Sequence, residues 1–311
     1  MSKHKAPGKS DREGISLFEL TEMFPDEQSA VDWFEGLIWH NERYCPRCGG
    51  FETKPVPKKK PMPYWCKDCR KYFSVRTGTV LECSRLPLRK WVFAIYLVTT
   101  NLKSVSSMKL HRDLNVTQKT AWFLIHRIRE AWADDSDVFD GTVEIDETFV
   151  GGKVRNMDKH KRRGYKSGKH NMATVVGIKE RESNKINAQV VPTRTRKDLF
   201  PFIEPRVTGR TTIYTDEAAV YASLHNHDIV NHSIEEYVKG QVHINGIESF
   251  WSMLKRAHKG TFHKLSAKHL QRYVNEFAGK HCTRNQDTIH QMQGIVVGLV
   301  GKRLMYRDLV A

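Results

Sequence analysis

The sequence predicts an α/β protein in which a small metal-stapled β unit and a helical region precede a sheet-centred domain. Three observations carry this reading. Cysteines fall in two C-x-x-C pairs, apolar residues from Pro87 to Trp132 recur at helical spacing, and after Gly141 the chain changes to β-type segments that alternate with helical ones. The expected divisions are an arm with helices over 1–40, the β unit over 41–84, a helical region over 85–139 and an α/β domain over 140–311.

Composition narrows the partners. The 311 residues carry 51 Lys+Arg against 35 Asp+Glu, a net charge of +16. Lysine or arginine on a phosphate releases condensed counterions, so a polyanionic partner is favoured. Charge alone does not separate DNA from RNA or from an acidic membrane surface. No apolar run reaches the roughly 18 residues that a membrane span requires. Met1 to Asp11 is polar and lysine-rich, without the apolar core of a signal peptide. A cytoplasmic location is therefore expected.

The first elements are two short helices between Ser16 and Trp39, interrupted at Pro25, the second starting near Asp26. Cys45-Pro-Arg-Cys48 and Cys66-Lys-Asp-Cys69 follow, with seventeen residues between the pairs. Two such turns can present four thiolates to one tetrahedral zinc ion, a closed structural site in a unit too small to hold itself together. Cys83 and Cys282 lack partners at ligand spacing and read as plain buried thiols. Between Lys54 and Lys90 stand eleven Lys/Arg against Asp68 and Glu82, with Tyr64, Trp65, Tyr72 and Phe73 interleaved. Beside a zinc ribbon this favours phosphate contact over a merely solvated face.

Ser104 to Trp132 reads as two helices around the turn Asp113-Leu114-Asn115-Val116, with Thr117 capping the second. Ala121, Leu124, Ile125 and Ile128 are expected inward, and Gln118, Lys119, His126, Arg127 and Arg129 outward. That suits a helix-turn-helix whose second helix enters the major groove, although any helical hairpin produces a similar pattern.

Carboxylates mark the last domain. In Val143-Glu144-Ile145-Asp146-Glu147-Thr148, a strand would project Glu144 and Asp146 to one face. A carboxylate on a central strand is costly unless paired or metal-bound. Thr212-Ile213-Tyr214-Thr215-Asp216 is an apolar strand ending in an acid, where open α/β sheets place their sites; Asp216 fits a helix N-cap equally, the preferred reading were Asp146 absent. From Val242 to Arg256, Ile247, Phe250, Trp251 and Leu254 form a buried stripe, while Asn245, Glu248, Ser252 and Lys255 share another face. Three carboxylates can hold two hard divalent cations for phosphoryl transfer, and Lys255 can meet a DNA phosphate.

These motifs together resemble the zinc-ribbon DDE transposases of bacterial insertion sequences. The residues that carry the resemblance are the ribbon cysteines, Tyr72 through Thr79, Glu144 through Thr148 with Gly151-Gly152-Lys153, Tyr214-Thr215-Asp216, and His243 through Lys255. The resemblance implies an RNase H-like core of mixed sheet and flanking helices, dependence on Mg2+ or Mn2+, and a nucleoid-associated homo-oligomer on DNA. It also implies terminal inverted repeats as substrate and strand transfer into target DNA. Carried over by position, Asp146 is the first acid, Asp216 the second, and Glu248, trailed by Lys255, the third. The group includes members with Asn near the third position, which makes Asn245 the second choice. The basic stretch Gly152–His170 is expected to clamp DNA ends. A non-catalytic zinc-ribbon and helix-turn-helix regulator, or a nuclease that cleaves without joining, are the rival readings.

Overall fold

The computed structural model describes residues 12–40, 42–133, 137–152, 159–162, 172–216, 219–230 and 243–311. It divides into two compact units, Met1–Ala133 with Thr283–Ala311, and Asp134–Cys282.

The first unit opens with α1 (Leu17–Met23) and α2 (Glu27–Trp39). Ser16 and Asp26 cap these helices through their side chains, accepting from Glu19 N–H and Ser29 N–H at 3.1 and 2.8 Å. Next come three short antiparallel strands, β1 (Thr53–Pro55), β2 (Tyr64–Cys66) and β3 (Tyr72–Phe73). The apolar run after Pro87 becomes α3 (Leu88–Thr100), which buries Trp91, Val92, Ile95 and Val98. The expected hairpin forms as α4 (Ser107–Leu114) and α5 (Gln118–Arg129), with Asn115 left-handed (φ 48°) in the turn.

The second unit is built on a mixed sheet. Its elements are β4 (Thr142–Gly151), the short α6 (Lys159–Arg162), β5 (Met172–Glu180), β6 (Ile186–Val191), α7 (Arg196–Ile203), β7 (Thr212–Asp216), β8 (His227–Val230), α8 (Asn245–Ala257) and α9 (Leu270–Thr283). The strand order is β6-β5-β4-β7-β8. Pairings β4–β5 and β5–β6 are antiparallel, whereas β4–β7 and β7–β8 are parallel. This is the mixed, helix-flanked sheet of an RNase H-like core. Alternation on the strands feeds two layers. Val143, Ile145 and Ile213 pack with Leu199, Phe202 and Ile203 of α7 on one face. Val150 and Val175 pack with Ile247, Phe250, Trp251 and Leu254 of α8 and Phe277 of α9 on the other. Gly177 on β5 makes room for α8, since a Cβ there would stand 2.9 Å from two ring atoms of Trp251.

After Thr283 the chain returns to the first unit as α10 (Thr288–Gly298) and α11 (Tyr306–Val310). Met292, Ile295, Val296 and Leu299 are buried in the same core as Trp91 and Ile95. The sequence reading placed this segment in the α/β domain. Its apolar stripe instead completes the helical core, so the α/β unit ends near Cys282. Two further expectations are corrected: Cys83 and Cys282 are exposed, not buried. Ala219–Tyr221 forms a single 3-10 turn. Most of the basic stretch Gly152–His170 lies outside the described residues. Among the described residues, no helix is long and apolar enough to cross a membrane.

Candidate active site

β4 is the central strand, and its alternation sorts the acids. Glu144 and Asp146 face α8, while Glu147 faces the opposite layer. Asp146 accepts from the indole Nε1–H of Trp251 at 3.0 Å and from the Glu147 N–H at 2.8 Å. On the neighbouring parallel strand, Tyr214 pairs with Glu144, so Asp216 lies two residues on, level with Asp146. Burial, then the charges of Glu147 and Asp216, push the Asp146 carboxyl up to about 7; the two hydrogen bonds only partly offset this.

Glu147 is the acid that the sequence placed beside the site without a role. Its side chain is 3% exposed. It accepts from the Tyr221 hydroxyl and pairs with Nε of Arg194. Burial raises its pKa most, against the hydrogen bond from Tyr221 and the charge of Arg194. Nη2 of Arg194 also reaches to 3.7 Å from Oδ2 of Asp216. Arg194 thus reaches both Glu147 and Asp216.

Glu144 does different work. It is 1% exposed and accepts from Arg181 Nε and from the Ile247 N–H, both at 2.9 Å. Arg181 also donates to the His243 carbonyl and lies 4.5 Å over the Tyr214 ring. This buried clasp fixes the first turn of α8 against β4. Gly246 leaves room there: a Cβ would meet the ends of the Lys179 and Glu144 side chains, which would have to shift.

On α8, Ile247, Phe250, Trp251 and Leu254 are buried as expected, and Asn245, Glu248, Ser252 and Lys255 are exposed. The helix reaches Asp146 through Trp251, one turn beyond Glu248. The structure therefore brings Asp146 and Asp216 together, but it does not gather Glu248, Asn245 or Lys255 into contact with them. Among the described residues, only the four cysteines cluster within 4.8 Å as a metal-type set of three or more.

Residues 138–280, the span that holds this sheet and its acids, match the model of the ISXO2-like transposase domain. Along that span the second unit is similar to this transposase domain family. A protein of Halobacterium salinarum (strain ATCC 700922 / JCM 11081 / NRC-1), described as an uncharacterized protein in transposable element ISH50, is 29% identical over 271 residues. The similarity covers 82% of this chain and 90% of that protein, so it extends well beyond residues 138–280.

Outside that span, the ribbon cysteines converge as their spacing implies. Cys45 and Cys69 sulfurs are 3.7 Å apart, and those of Cys48 and Cys66 are 3.6 Å apart. A tetrahedron with Zn–S of about 2.3 Å has edges of about 3.8 Å. The four sulfurs could hold one structural zinc with no open position. Each pair is followed by a left-handed residue, Gly49 (φ 76°) and Arg70 (φ 55°), which turns the chain back on itself.

The helical pair is only partly as expected. Thr117 caps α5, its Oγ1 accepting from Thr120 N–H at 3.2 Å, and Gln118 and Lys119 are exposed at the helix start. His126, Arg127 and Arg129 are buried, contrary to the outward face expected for them. Arg127 lies 4.2 Å over the Phe123 ring and donates to the carbonyls of Glu82 and Leu304 at 3.1 and 3.3 Å. A helix wheel assigns charge outward by default, and segments distant in sequence reverse that assignment here. Nothing local pointed to Arg194, Tyr221 or Arg181, whose partners come from other strands. Glu147 carried one signal, its position beside Asp146.

Proposed function

We propose that the chain cuts the ends of a DNA element and joins them to target DNA by metal-dependent phosphoryl transfer, as a DDE transposase. The observation that carries the reading is Asp146 beside Asp216, on adjacent parallel strands at the centre of the sheet, with Asp146 pushed up to about 7. Buried like charges of this kind mark functional sites. They suit a hard divalent cation with oxygen ligands, Mg2+ or Mn2+. Glu248, or Asn245 in its place, completes the ligand set from α8; a carboxylate binds such a cation more strongly than an amide.

When bound, the cations supply Lewis-acid activation of the attacking oxygen and stabilisation of the leaving one. The chain's own residues do the rest. Trp251 and the Glu147 N–H hold the Asp146 carboxylate in one orientation. The clasp of Glu144 and Arg181 sets where the first turn of α8 lies. Lys255 offers an exposed ammonium to a DNA phosphate. Each step exchanges one P–O bond for another and moves one proton from the attacking oxygen to the leaving oxygen, so no nucleotide cofactor is required.

In this reading the first unit recognises the terminal inverted repeats through the ribbon and the start of α5, and the protein assembles as a homo-oligomer on DNA in the nucleoid. The transposable-element setting of the ISH50 protein supports a mobile-element role. The test is cleavage of DNA carrying the element's ends in Mg2+. Asp146→Asn and Asp216→Asn are expected to lower cleavage by roughly a thousandfold or more while end binding persists. Undiminished cleavage by either variant overturns the assignment. A wild type that binds ends without cutting would be a regulator, and one that cuts without joining a nuclease.

A further inference from the structure

The loop between β6 and α7 carries Arg194, and the first turn of α7 carries Arg196 and Lys197, all exposed. Its own polar side chains brace it. The Thr193 and Thr195 hydroxyls are 2.9 Å apart, the Thr195 N–H donates to Thr193 Oγ1 at 3.3 Å, and both hydroxyls donate to Asp198. From this braced loop the arginines diverge. The Arg196 guanidinium lies 4.6 Å over the Phe200 ring, along α7. Arg194 turns to the acids, with Nε on Glu147 and Nη2 3.7 Å from Asp216 Oδ2. The Glu147 side chain is 3% exposed, whereas that of Arg194 is 44% exposed. The guanidinium is thus held by two carboxylates while nearly half of the Arg194 side chain stays open to solvent.

We propose that Arg194 is a catalytic residue that binds a non-bridging oxygen of the phosphodiester being transferred. The inference rests on the reading of Asp146 and Asp216 given above, and it adds the group that receives the substrate's charge. An acidic crevice repels DNA, and a fixed cation between its acids offsets that repulsion where the phosphate must come. Negative charge spreads over the equatorial oxygens as the phosphoryl group passes between oxygens, so a donor aimed there is worth most in the transition state. Arginine suits the position because its planar fork can keep Glu147 with one edge and meet phosphate with the other. Glu147, itself held by Tyr221, is the anchor that keeps the fork in place.

The experiment uses zinc-loaded full-length protein, a duplex bearing the element's terminal repeat, and the variants Arg194→Ala, Arg194→Lys and Asp216→Asn. Equilibrium binding is measured in Ca2+ across a salt series, and single-site cleavage in Mg2+. For Arg194→Ala, kcat is expected to fall roughly a hundredfold with little change in KM. The slope of log K against log salt should become shallower by about 0.9, the loss of one phosphate contact. Arg194→Lys should restore the slope and part of kcat. An unchanged slope with unchanged kcat overturns the inference. So does a lowered melting temperature with an unchanged slope, the outcome for a mere strut of Glu147. Wild-type cleavage by Asp216→Asn would instead remove the underlying site reading.

Discussion

The indole Nε1–H of Trp251 donates to Oδ2 of Asp146 at 3.0 Å, tying the central strand's acid to the helix that carries Glu248. One side chain thereby does two things. It holds α8 at a set distance from β4, and it stabilises the charged form of a carboxyl that burial disfavours.

Replacing Trp251 by Phe keeps an aromatic ring in the packing and removes the donor. The Asp146 pKa should rise further, since a hydrogen bond to the charged form is lost. The ascending limb of the pH–rate profile for cleavage is expected to move alkaline by about one unit, the scale of one charged hydrogen bond. A limb that stays in place would show that the indole does not act on Asp146.

Asp146 also makes stability depend on pH. Its folded pKa, about 7, stands above the ordinary value of 3.8, so between these values the folded protein keeps a proton that the unfolded chain releases. Its contribution is favourable at low pH and is lost as pH rises from about 4 to about 7. Without added magnesium, the melting temperature of Asp146→Asn should gain on wild type as pH is raised from 5 to 8. Parallel curves would contradict this.

On α5, Lys119 and Arg127 are expected to separate binding from stability. Lys119 is exposed at the helix start, so Lys119→Ala should weaken DNA binding and reduce its salt slope, with little loss of stability. Arg127→Ala leaves two carbonyls without their donor and exposes Phe123. It should cost about 1–3 kcal/mol in denaturant unfolding. Reversed outcomes would mean that the DNA-facing side of the helix has been misplaced.

The ribbon's strands have three, three and two residues, too few for a stable sheet of their own. Cys45→Ser or Cys66→Ser should release the bound zinc and speed amide exchange across β1 to β3. DNA affinity should fall with it. Zinc retention, or loss of zinc with unchanged exchange, would contradict a structural role for the four sulfurs.

Much of this was legible in the chain because it is local or periodic. The C-x-x-C spacing marked the sulfur cluster, the period of two put Glu144 and Asp146 on one face, and the stripe Ile247-Phe250-Trp251-Leu254 marked the buried side of α8. What was not legible depends on pairing across the sequence. The burial of Arg127 requires the carbonyl of Leu304, far along the chain, and α10 completes a core begun by α2 and α3. The same holds at the acids. Arg194, Tyr221 and Arg181 acquire their roles only when the order β6-β5-β4-β7-β8 brings them to β4. Periodicity could place Glu248 and Asn245 on one face, but it could not choose between them.

The central claim is that Asp146 and Asp216 together hold a divalent cation. Calorimetric titration of Mn2+ into zinc-loaded wild type, Asp146→Asn and Asp216→Asn at pH 8 tests it most directly. The account predicts binding to wild type that either substitution weakens at least about tenfold, since each removes a charged oxygen ligand. Equal affinity in all three proteins would contradict it.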